Sequence, residues 1–458
     1  MRRPLTRRPL TRRPLRTVRG AALAAALTAG LATGFAAGPE ARAQGGPDGR
    51  VQGGPDGRGQ GGPEARGQGG PDARIGGAPA LMPAGSARDP QPREPAMPDL
   101  PSSVPPAIAL PAAPQVKDDS ARATQPLAGS LKDQDGWRLY RSRFVTEAGR
   151  VVDTANGGIS HSEGQGYGML LAVAANDRPT FERLWGWTRA NLMVRPDSLL
   201  AWRWEPGKRP AVADLNDASD GDILVAWALT EAAEAWDDAG YRVAARRIAV
   251  EVGRRTILFK DRNGALLLPA VTGFSAGERA DGPLINLSYW VFPAFARLPL
   301  VAPEYDWDAL TRSGLRLLRR ARFGSANLPT EWISLKGDQP RPADGFPPLF
   351  SYNAIRIPLY MAWADVGRRE DYDPFVALWS GPDRERLPIV DTSDGRTVEW
   401  LGESGYAALS SLLLCTVKGT PLPDGFGQVQ GNENYYPTTL HLLAMVAAQM
   451  RGPSCSKR

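Results

Sequence analysis

The chain has 458 residues, a formal net charge of +6, two histidines and two cysteines. Two histidines argue against a histidine-based metal site and against a Ser-His-Asp triad, so we predict no metal and no cofactor. Residues 1–43 hold nine of the 55 basic residues and one of the 49 acidic ones. The rest of the chain has 46 basic and 48 acidic residues, a net charge of −2. Its charge therefore gives no reason to expect a nucleic-acid partner.

Residues 1–43 have the order of a secretory signal peptide. An arginine-rich segment is followed by an apolar, alanine-rich stretch from Gly20 to Ala37, and then by the small residues Ala41 and Ala43. Signal peptidases read this pattern. The alternative is a membrane anchor, but the stretch is short for a membrane span and rich in Ala and Gly. We expect a secreted, periplasmic protein whose mature form is not inserted in a membrane.

Residues 44–126 are predicted to be a disordered linker. An eight-residue unit, Gln-Gly-Gly-Pro-Asp/Glu-Gly/Ala-Arg and one variable residue, begins at Gln44, Gln52, Gln60 and Gln68. It has almost no apolar surface to offset the entropy lost on ordering. The Pro- and Ala-rich sequence after it is typical of an extended connection. A binding role for the repeat remains a possible alternative.

Residues 127–452 are predicted to form one helical domain, followed by a short tail at 453–458. Apolar residues recur at three- and four-residue spacing, separated by Pro, Gly, Asp and Asn clusters, whereas strand-like alternation is rare apart from a possible pair near Leu266–Thr272. The fold class is therefore all-α. The predicted helices are Tyr167–Ala175, Phe181–Leu192, Ile223–Trp236, Tyr241–Ile257, Leu310–Ala321, Ile355–Val366, Tyr406–Cys415 and Tyr436–Met450.

The two cysteines differ in their surroundings. Cys415 lies in an apolar run and is predicted to be a buried thiol, whereas Cys455 lies in the polar tail. A bridge between them, which an oxidising compartment would allow, remains open.

The segment Ser162–Met169 places Glu163 among three glycines just before a predicted helix. With so little bulk around it, a large ligand can approach the carboxyl oxygen closely. We predict that Glu163 is a general acid, kept protonated by apolar and aromatic neighbours. The alternative is that Glu163 only caps the helix that follows it.

A second acidic cluster, with Asp217, Asp220 and Asp222, opens another predicted helix 57 residues after Glu163. One of these acids is expected to be an ordinary helix cap, but three within six residues are more than a cap needs. We predict Asp220 as the functional residue and Asp222 as its hydrogen-bonding support. Two carboxylates brought to one cleft by two helices are what glycoside hydrolysis requires.

Aromatic residues in or beside predicted loops could stack on the flat faces of sugar rings, although any one of them could equally belong to the core. They are Trp202, Trp204, Tyr289, Trp290, Trp332, Tyr352, Tyr435 and Tyr436.

At these residues the sequence resembles glycoside hydrolase family 8, and within it the periplasmic endoglucanases encoded beside bacterial cellulose synthase. Three segments carry the resemblance: Ser162–Met169, Ala218–Trp236 and Ser351–Arg356. It covers essentially Leu127–Met450 and implies an (α/α)6 barrel that hydrolyses β-1,4-glucan with inversion and without a metal.

The resemblance also implies a role for each matching residue. Glu163 would be the proton donor, and Asp220 would bind the distorted sugar beside the scissile bond. Tyr352, Asn353 and Arg356 would line the side from which water attacks, while Trp202 or Trp204 would stack on a sugar. Tyr435 is a further candidate for substrate binding.

One position departs from the family pattern. Many members have an aspartate, the general base, where this chain has Asn353, and an amide cannot take a proton from water near neutral pH. Some members with Asn there take the base from the preceding loop. Asp344, nine residues before Asn353, is therefore our candidate for the base, with a solvated turn residue as the alternative.

The predicted function is an endo-β-1,4-glucanase that trims nascent cellulose, with β-1,4-glucan as its substrate and a cellulose synthase complex as a possible partner. Asn353 leaves chitosan open as the substrate, and xylan is a further alternative on the same fold. A third alternative is a glucan-binding protein that has lost its base and no longer hydrolyses the polymer.

Overall fold

The computed structural model describes residues 126–381, 385–451 and 455. The predicted signal peptide, residues 1–43, and nearly all of the predicted linker, residues 44–126, lie outside the described residues. Within the described part, no helix combines the length and apolar character that crossing a membrane would need.

The described part of the chain is mainly helical, with eleven α-helices. They are α1 Gln134–Phe144, α2 Ser162–Ala174, α3 Arg178–Asn191, α4 Ser219–Trp236, α5 Ala239–Arg255, α6 Phe292–Phe295, α7 Trp307–Arg320, α8 Arg356–Ala364, α9 Arg369–Trp379, α10 Ser404–Lys418 and α11 Tyr435–Met450.

Over the described ranges, ten short strands pair in antiparallel fashion between these helices. They are β1 Ser160–His161, β2 Arg203–Trp204, β3 Ile257–Asp261, β4 Gly264–Leu267, β5 Leu284–Ile285, β6 Ile333–Ser334, β7 Arg341–Pro342, β8 Leu349–Phe350, β9 Leu387–Asp391 and β10 Thr397–Leu401. The sheets are β1–β2, β3–β4, β5–β6–β7 and β8–β9–β10.

The helices fall into two sets that alternate along most of the chain. Helices α2, α4, α6, α8, α10 and α11 are buried over most of their surface, so they form the interior. Helices α1, α3, α5, α7 and α9 bury one face only, as a surface helix should. The buried helices contact one another in order, and α11 contacts α2, which closes the inner ring.

All eight predicted helices are present, whereas α1, α6 and α9 were not predicted. Helix α6 has four residues, and α9 contains Pro374, which disfavours a helical interpretation of the sequence. A strand pair does exist as β3 and β4, but it lies earlier in the chain and overlaps the predicted range only at Leu266 and Leu267.

The prediction of a free buried thiol at Cys415 is wrong. Cys415 is bonded to Cys455, with 5.6 Å between their Cα atoms. Although Cys455 follows a polar segment, its own side chain is buried and reaches α10. The bridge therefore ties a residue of the C-terminal tail to an interior helix.

Glycines allow α2 and α4 to pack unusually closely. A Cβ atom on Gly221 would lie 2.7 Å from Ser162 Cβ and 2.8 Å from Glu163 N, and one on Gly166 would lie 2.6 Å from Leu224 Cβ. Real Cβ atoms essentially never approach other atoms below 3.0 Å. The two helices can therefore meet only where these side chains are missing.

Gly221→Ala should push α2 and α4 apart and lower the free energy of unfolding by about 1–3 kcal/mol. Gly186→Ala in α3 is the matched control, because a Cβ there meets nothing within 4 Å. Alanine in this helical position should stabilise the fold by about 0.5–1 kcal/mol. Urea denaturation of the two variants measures both effects, and equal stabilities would contradict this account of the helix contact.

Candidate active site

The strand β1 and the first turn of α2 place Glu163. Ser160 pairs with Trp204 of β2, and His161 follows as the cap of α2, its Nδ1 accepting a hydrogen bond from Gly164 N at 3.0 Å. The cap is therefore His161, so Glu163 is not needed for that purpose. The Glu163 side chain is 16% exposed and faces the other members of the site.

Arg356, the first residue of α8, joins the two acidic segments. Its side chain has no exposed surface, and its guanidinium forms ion pairs with Glu163 Oε2 through Nη1 and with Asp220 Oδ2 through Nη2, the latter at 3.2 Å. The predicted acid and the predicted sugar-binding aspartate thus lie side by side. We call Glu163, Asp220 and Arg356 the charged cluster.

The remaining N–H groups of Arg356 are also satisfied. Nη1 also donates to Tyr167 Oη, and Nη2 shares its donors with Ser288 Oγ and Asn353 Oδ1, each at 3.1 Å, while Nε donates to Asn353 O at 3.4 Å. A buried guanidinium with this many acceptors is held in one orientation. Because it is fully buried, Arg356 positions Glu163 and Asp220 and has no exposed atoms for a polymer to contact.

Asp220 lies deeper than Glu163, with 2% of its side chain exposed. Burial and, after it, the negative charge of Glu163 raise its pKa to about 7, with Arg356 opposing both effects. The interaction includes a hydrogen bond between the two carboxyl groups. Below about pH 7, Asp220 therefore keeps a proton beside Glu163, and an acid catalyst must have a proton available.

A carboxylate that sequence reasoning missed lies beside Asn353. Glu331 Oε1 accepts a hydrogen bond from Asn353 N at 2.7 Å, and the side-chain amide of Asn353 also hydrogen-bonds to Glu331. Burial raises the pKa of Glu331 and outweighs these hydrogen bonds, which lower it. Its sequence context, immediately before Trp332, carries no recognisable signal. The one clue in the sequence is the amide at position 353, because it leaves the site without a base and so indicates that another carboxylate is needed.

Asp344 has different surroundings. Its side chain is 68% exposed, and its two oxygens accept from Nη1 and Nη2 of Arg341 at 2.6 and 2.9 Å. The hydrogen bonds from Arg341 are the main reason why its pKa is lowered. None of the described polar contacts joins Asp344 to the charged cluster.

The other two acids of the second segment anchor loops. Asp222 Oδ1 accepts from Leu200 N at 2.8 Å, and Asp217 Oδ1 accepts from Val271 N at 2.9 Å. Both side chains are completely buried, and burial raises both pKa values. Asp222 therefore holds the segment that leads to Trp202, as a positioning residue for a candidate sugar-binding side chain.

The aromatic candidates differ in how much ring surface they expose. Trp202 is 8% exposed, and its Nε1 donates to Asp214 Oδ2 at 2.8 Å. Trp204 and Tyr352 are partly exposed, so both can offer surface to a sugar ring. Tyr435 is fully buried, with its ring centre 6.1 Å from that of His161, and so supports the helix cap.

Within the described ranges, no group of three or more His, Cys, Asp or Glu side chains is placed to hold a metal ion. The charged cluster offers two carboxyl groups and one guanidinium.

The chain belongs to glycosyl hydrolases family 8, whose sequence model matches residues 117–450. It is similar to an endoglucanase of Cellulomonas uda, with 36% identity over 63% of this chain and 79% of that protein. It is also similar to a probable endoglucanase of Novacetimonas hansenii, with 34% identity over 73% of this chain and 95% of that protein.

Solved structures of family 8 enzymes have the same fold as this chain. The endoglucanase Cel10 of Klebsiella pneumoniae, a family 8 glycosyl hydrolase, superposes with a TM-score of 0.64 at 36% identity, covering 69% of this chain and 99% of that one. The endo-β-1,4-glucanase CMCax of Acetobacter xylinum gives a TM-score of 0.63 at 33% identity, covering 71% and 99%. The predicted all-α fold, an (α/α)6 barrel, is confirmed.

Asp220→Asn should change how stability depends on pH. The pKa of Asp220 is raised from 3.8 to about 7 in the fold, so the native state binds a proton more tightly than the unfolded chain. Stability from this group is complete below about pH 4 and is lost as the pH rises towards 7, by on the order of a few kcal/mol. Asparagine cannot ionise, so the variant should lack this loss.

Urea denaturation of both proteins at pH 4.5, 6 and 8 measures the difference. Asp237→Asn is the control, because Asp237 is exposed at the end of the same helix. A stability difference between wild type and Asp220→Asn that stays constant over this pH range would contradict the prediction.

Proposed function

We propose that the chain is an endo-β-1,4-glucanase that cleaves internal bonds of β-1,4-glucan with inversion at the anomeric carbon. The observation that carries the proposal is the charged cluster, in which carboxyl groups from two neighbouring helices share one buried guanidinium. Membership of family 8 and the endoglucanase names of its relatives support the substrate class.

Glu163 is the proton donor in this proposal, because it is the more exposed carboxyl group of the pair. Its side chain is 16% exposed, against 2% for Asp220. Glu163 protonates the oxygen of the departing sugar as the glycosidic bond breaks. Asp220 lies behind it and keeps a proton in the pair up to about neutral pH.

Trp204 and Tyr352 stack on sugar rings in the cleft, and Trp202 supports this surface. Such stacking suits an uncharged polymer, because aromatic faces pack against the apolar faces of pyranose rings. Arg356 and Asp222 act from behind these residues, since neither has exposed side-chain surface.

The protein is secreted to the periplasm and trims glucan beside a cellulose synthase complex. The order of charge and apolar residues in residues 1–43 supports export. The bridge between Cys415 and Cys455 fits an oxidising compartment. The link to cellulose synthesis rests on the resemblance to endoglucanases encoded beside the synthase.

Glu163→Gln should abolish the release of reducing ends from carboxymethylcellulose, with a loss of at least about 10³-fold in kcat, because glutamine cannot donate the proton. Glu147→Gln is the matched control, since Glu147 is exposed outside the cluster. Both variants should melt near the wild-type temperature. Substantial activity in a folded Glu163→Gln protein would remove the assignment.

Wild-type protein should hydrolyse carboxymethylcellulose faster than chitosan or xylan, and its first product should carry the α-anomer. Initial rates on the three polymers and proton NMR of early cello-oligosaccharide products measure this. A higher rate on chitosan or xylan would show that this polymer, and not β-1,4-glucan, is the preferred substrate. Tight binding of cello-oligosaccharides without turnover would indicate the binding protein instead.

A further inference from the structure

The proposed hydrolysis needs a group that takes a proton from water, and this inference rests on that function. Asn353 contacts the charged cluster through Arg356 but cannot take the proton. A carboxylate must therefore be found within reach of the same water. Two candidates precede Asn353 in the sequence, Glu331 and Asp344.

We propose that Glu331 is the general base of this enzyme. Its carboxylate is held by three N–H donors: the backbone groups of Asn353 and Ala354 and the side-chain amide of Asn353. Its own backbone N–H donates to Leu349 O of β8 at 2.9 Å, which fixes the segment that carries it. Glu331 as a residue keeps partial exposure, whereas Arg356 behind the site has none.

Asn353 connects Glu331 to the proton donor. Its Oδ1 accepts from Arg356, which is paired with Glu163, while its amide nitrogen side faces Glu331. An amide can accept on one side and donate on the other, whereas an aspartate has only acceptors. Aspartate at this position would also bring a second negative charge against Glu331. An asparagine at position 353 is therefore compatible with Glu331 as the carboxylate that takes the proton from water.

Tyr289 lies among the same charged groups. The pKa of its buried phenol is raised first by burial and then by the negative charges of Asp220, Glu163 and Glu331, and Arg356 opposes them. One phenol therefore lies within electrostatic reach of all four charged groups. Glu331 belongs to the same electrostatic environment as the charged cluster.

The two candidates differ as proton acceptors. Burial raises the pKa of Glu331, which strengthens its affinity for a proton. Arg341 lowers the pKa of the exposed Asp344 and occupies both of its oxygens. A base works best when its pKa approaches the working pH, so these shifts favour Glu331.

In the step, an oxygen lone pair of water forms a bond to the anomeric carbon while Glu331 takes one proton from that water. The bond between the anomeric carbon and the glycosidic oxygen breaks, and Glu163 delivers its proton to that oxygen. Glu331 ends protonated and Glu163 ionised. Exchange with solvent restores both, and no other reactant is needed.

Glu331→Gln and Asp344→Asn separate the two candidates. Glutamine keeps the shape and an oxygen acceptor for Asn353 N, so the fold should survive. We expect kcat on cellopentaose to fall by at least about 10³-fold in Glu331→Gln and by less than about tenfold in Asp344→Asn. Melting temperatures show whether each variant is folded.

Glu331→Ala with sodium azide distinguishes a base from a positioning residue. Azide is a nucleophile that carries no proton to remove, so it should restore turnover and give an α-glycosyl azide, detected by mass spectrometry and NMR. A folded Glu331→Gln with near wild-type kcat, an inactive Asp344→Asn, or no azide product from folded Glu331→Ala would each overturn the proposal. Wild-type protein inactive on every β-1,4-glucan would instead overturn the proposed function.

Discussion

The site depends on one buried positive charge. The guanidinium of Arg356 is fully buried, and an unpaired charge in that position would cost several kcal/mol. Glu163 and Asp220 supply the compensating charge, but only because α2 and α4 touch at Gly221 and Gly166. The small residues of the two acidic segments therefore have a packing role. They bring two carboxyl groups close enough to share one cation.

This sharing decides the protonation of the cluster. Two carboxylates around one guanidinium leave an excess negative charge in a buried place, and a single proton removes it. Burial and the charge of Glu163 raise the pKa of Asp220 to about 7 for this reason. The proton is retained behind Glu163, the carboxyl group that a polymer can reach. The close approach of the two carboxyl groups, which stabilises Arg356, thus also helps to keep a proton on Asp220, beside Glu163.

Much of the helical framework could be predicted from the sequence, because α4 or α7 repeats apolar residues at helical spacing. Helix α9 could not, because Pro374 interrupts the pattern and only packing restores the helix. The bridge between Cys415 and Cys455 was missed for a related reason: the fold buries Cys455 although the residues around it are polar. Tertiary contacts decide such features, and a local pattern does not contain them.

The charged cluster shows the same limit. Glu163 and Asp220 can be recognised in the sequence because their segments combine acids with glycines. Asp222 lies in the same kind of segment, but its carboxylate accepts a hydrogen bond from Leu200 N and so anchors a loop. Glu331 has no such pattern. Its place in the site comes from the backbone N–H of Asn353, 22 residues later, and backbone donors are the same in every sequence.

The asparagine at position 353 is therefore weak evidence for a lost activity. Considered alone, it removes a carboxylate and favours a protein that only binds glucan. In the fold, its amide accepts from Arg356 and donates to Glu331, so one side chain joins the partner of the proton donor to another carboxylate. An aspartate could still accept from Arg356, but it would have no hydrogen to donate to Glu331 and would place two like charges together. A motif residue that differs from its family can thus be the hydrogen-bonding partner of a general base from another segment of the chain.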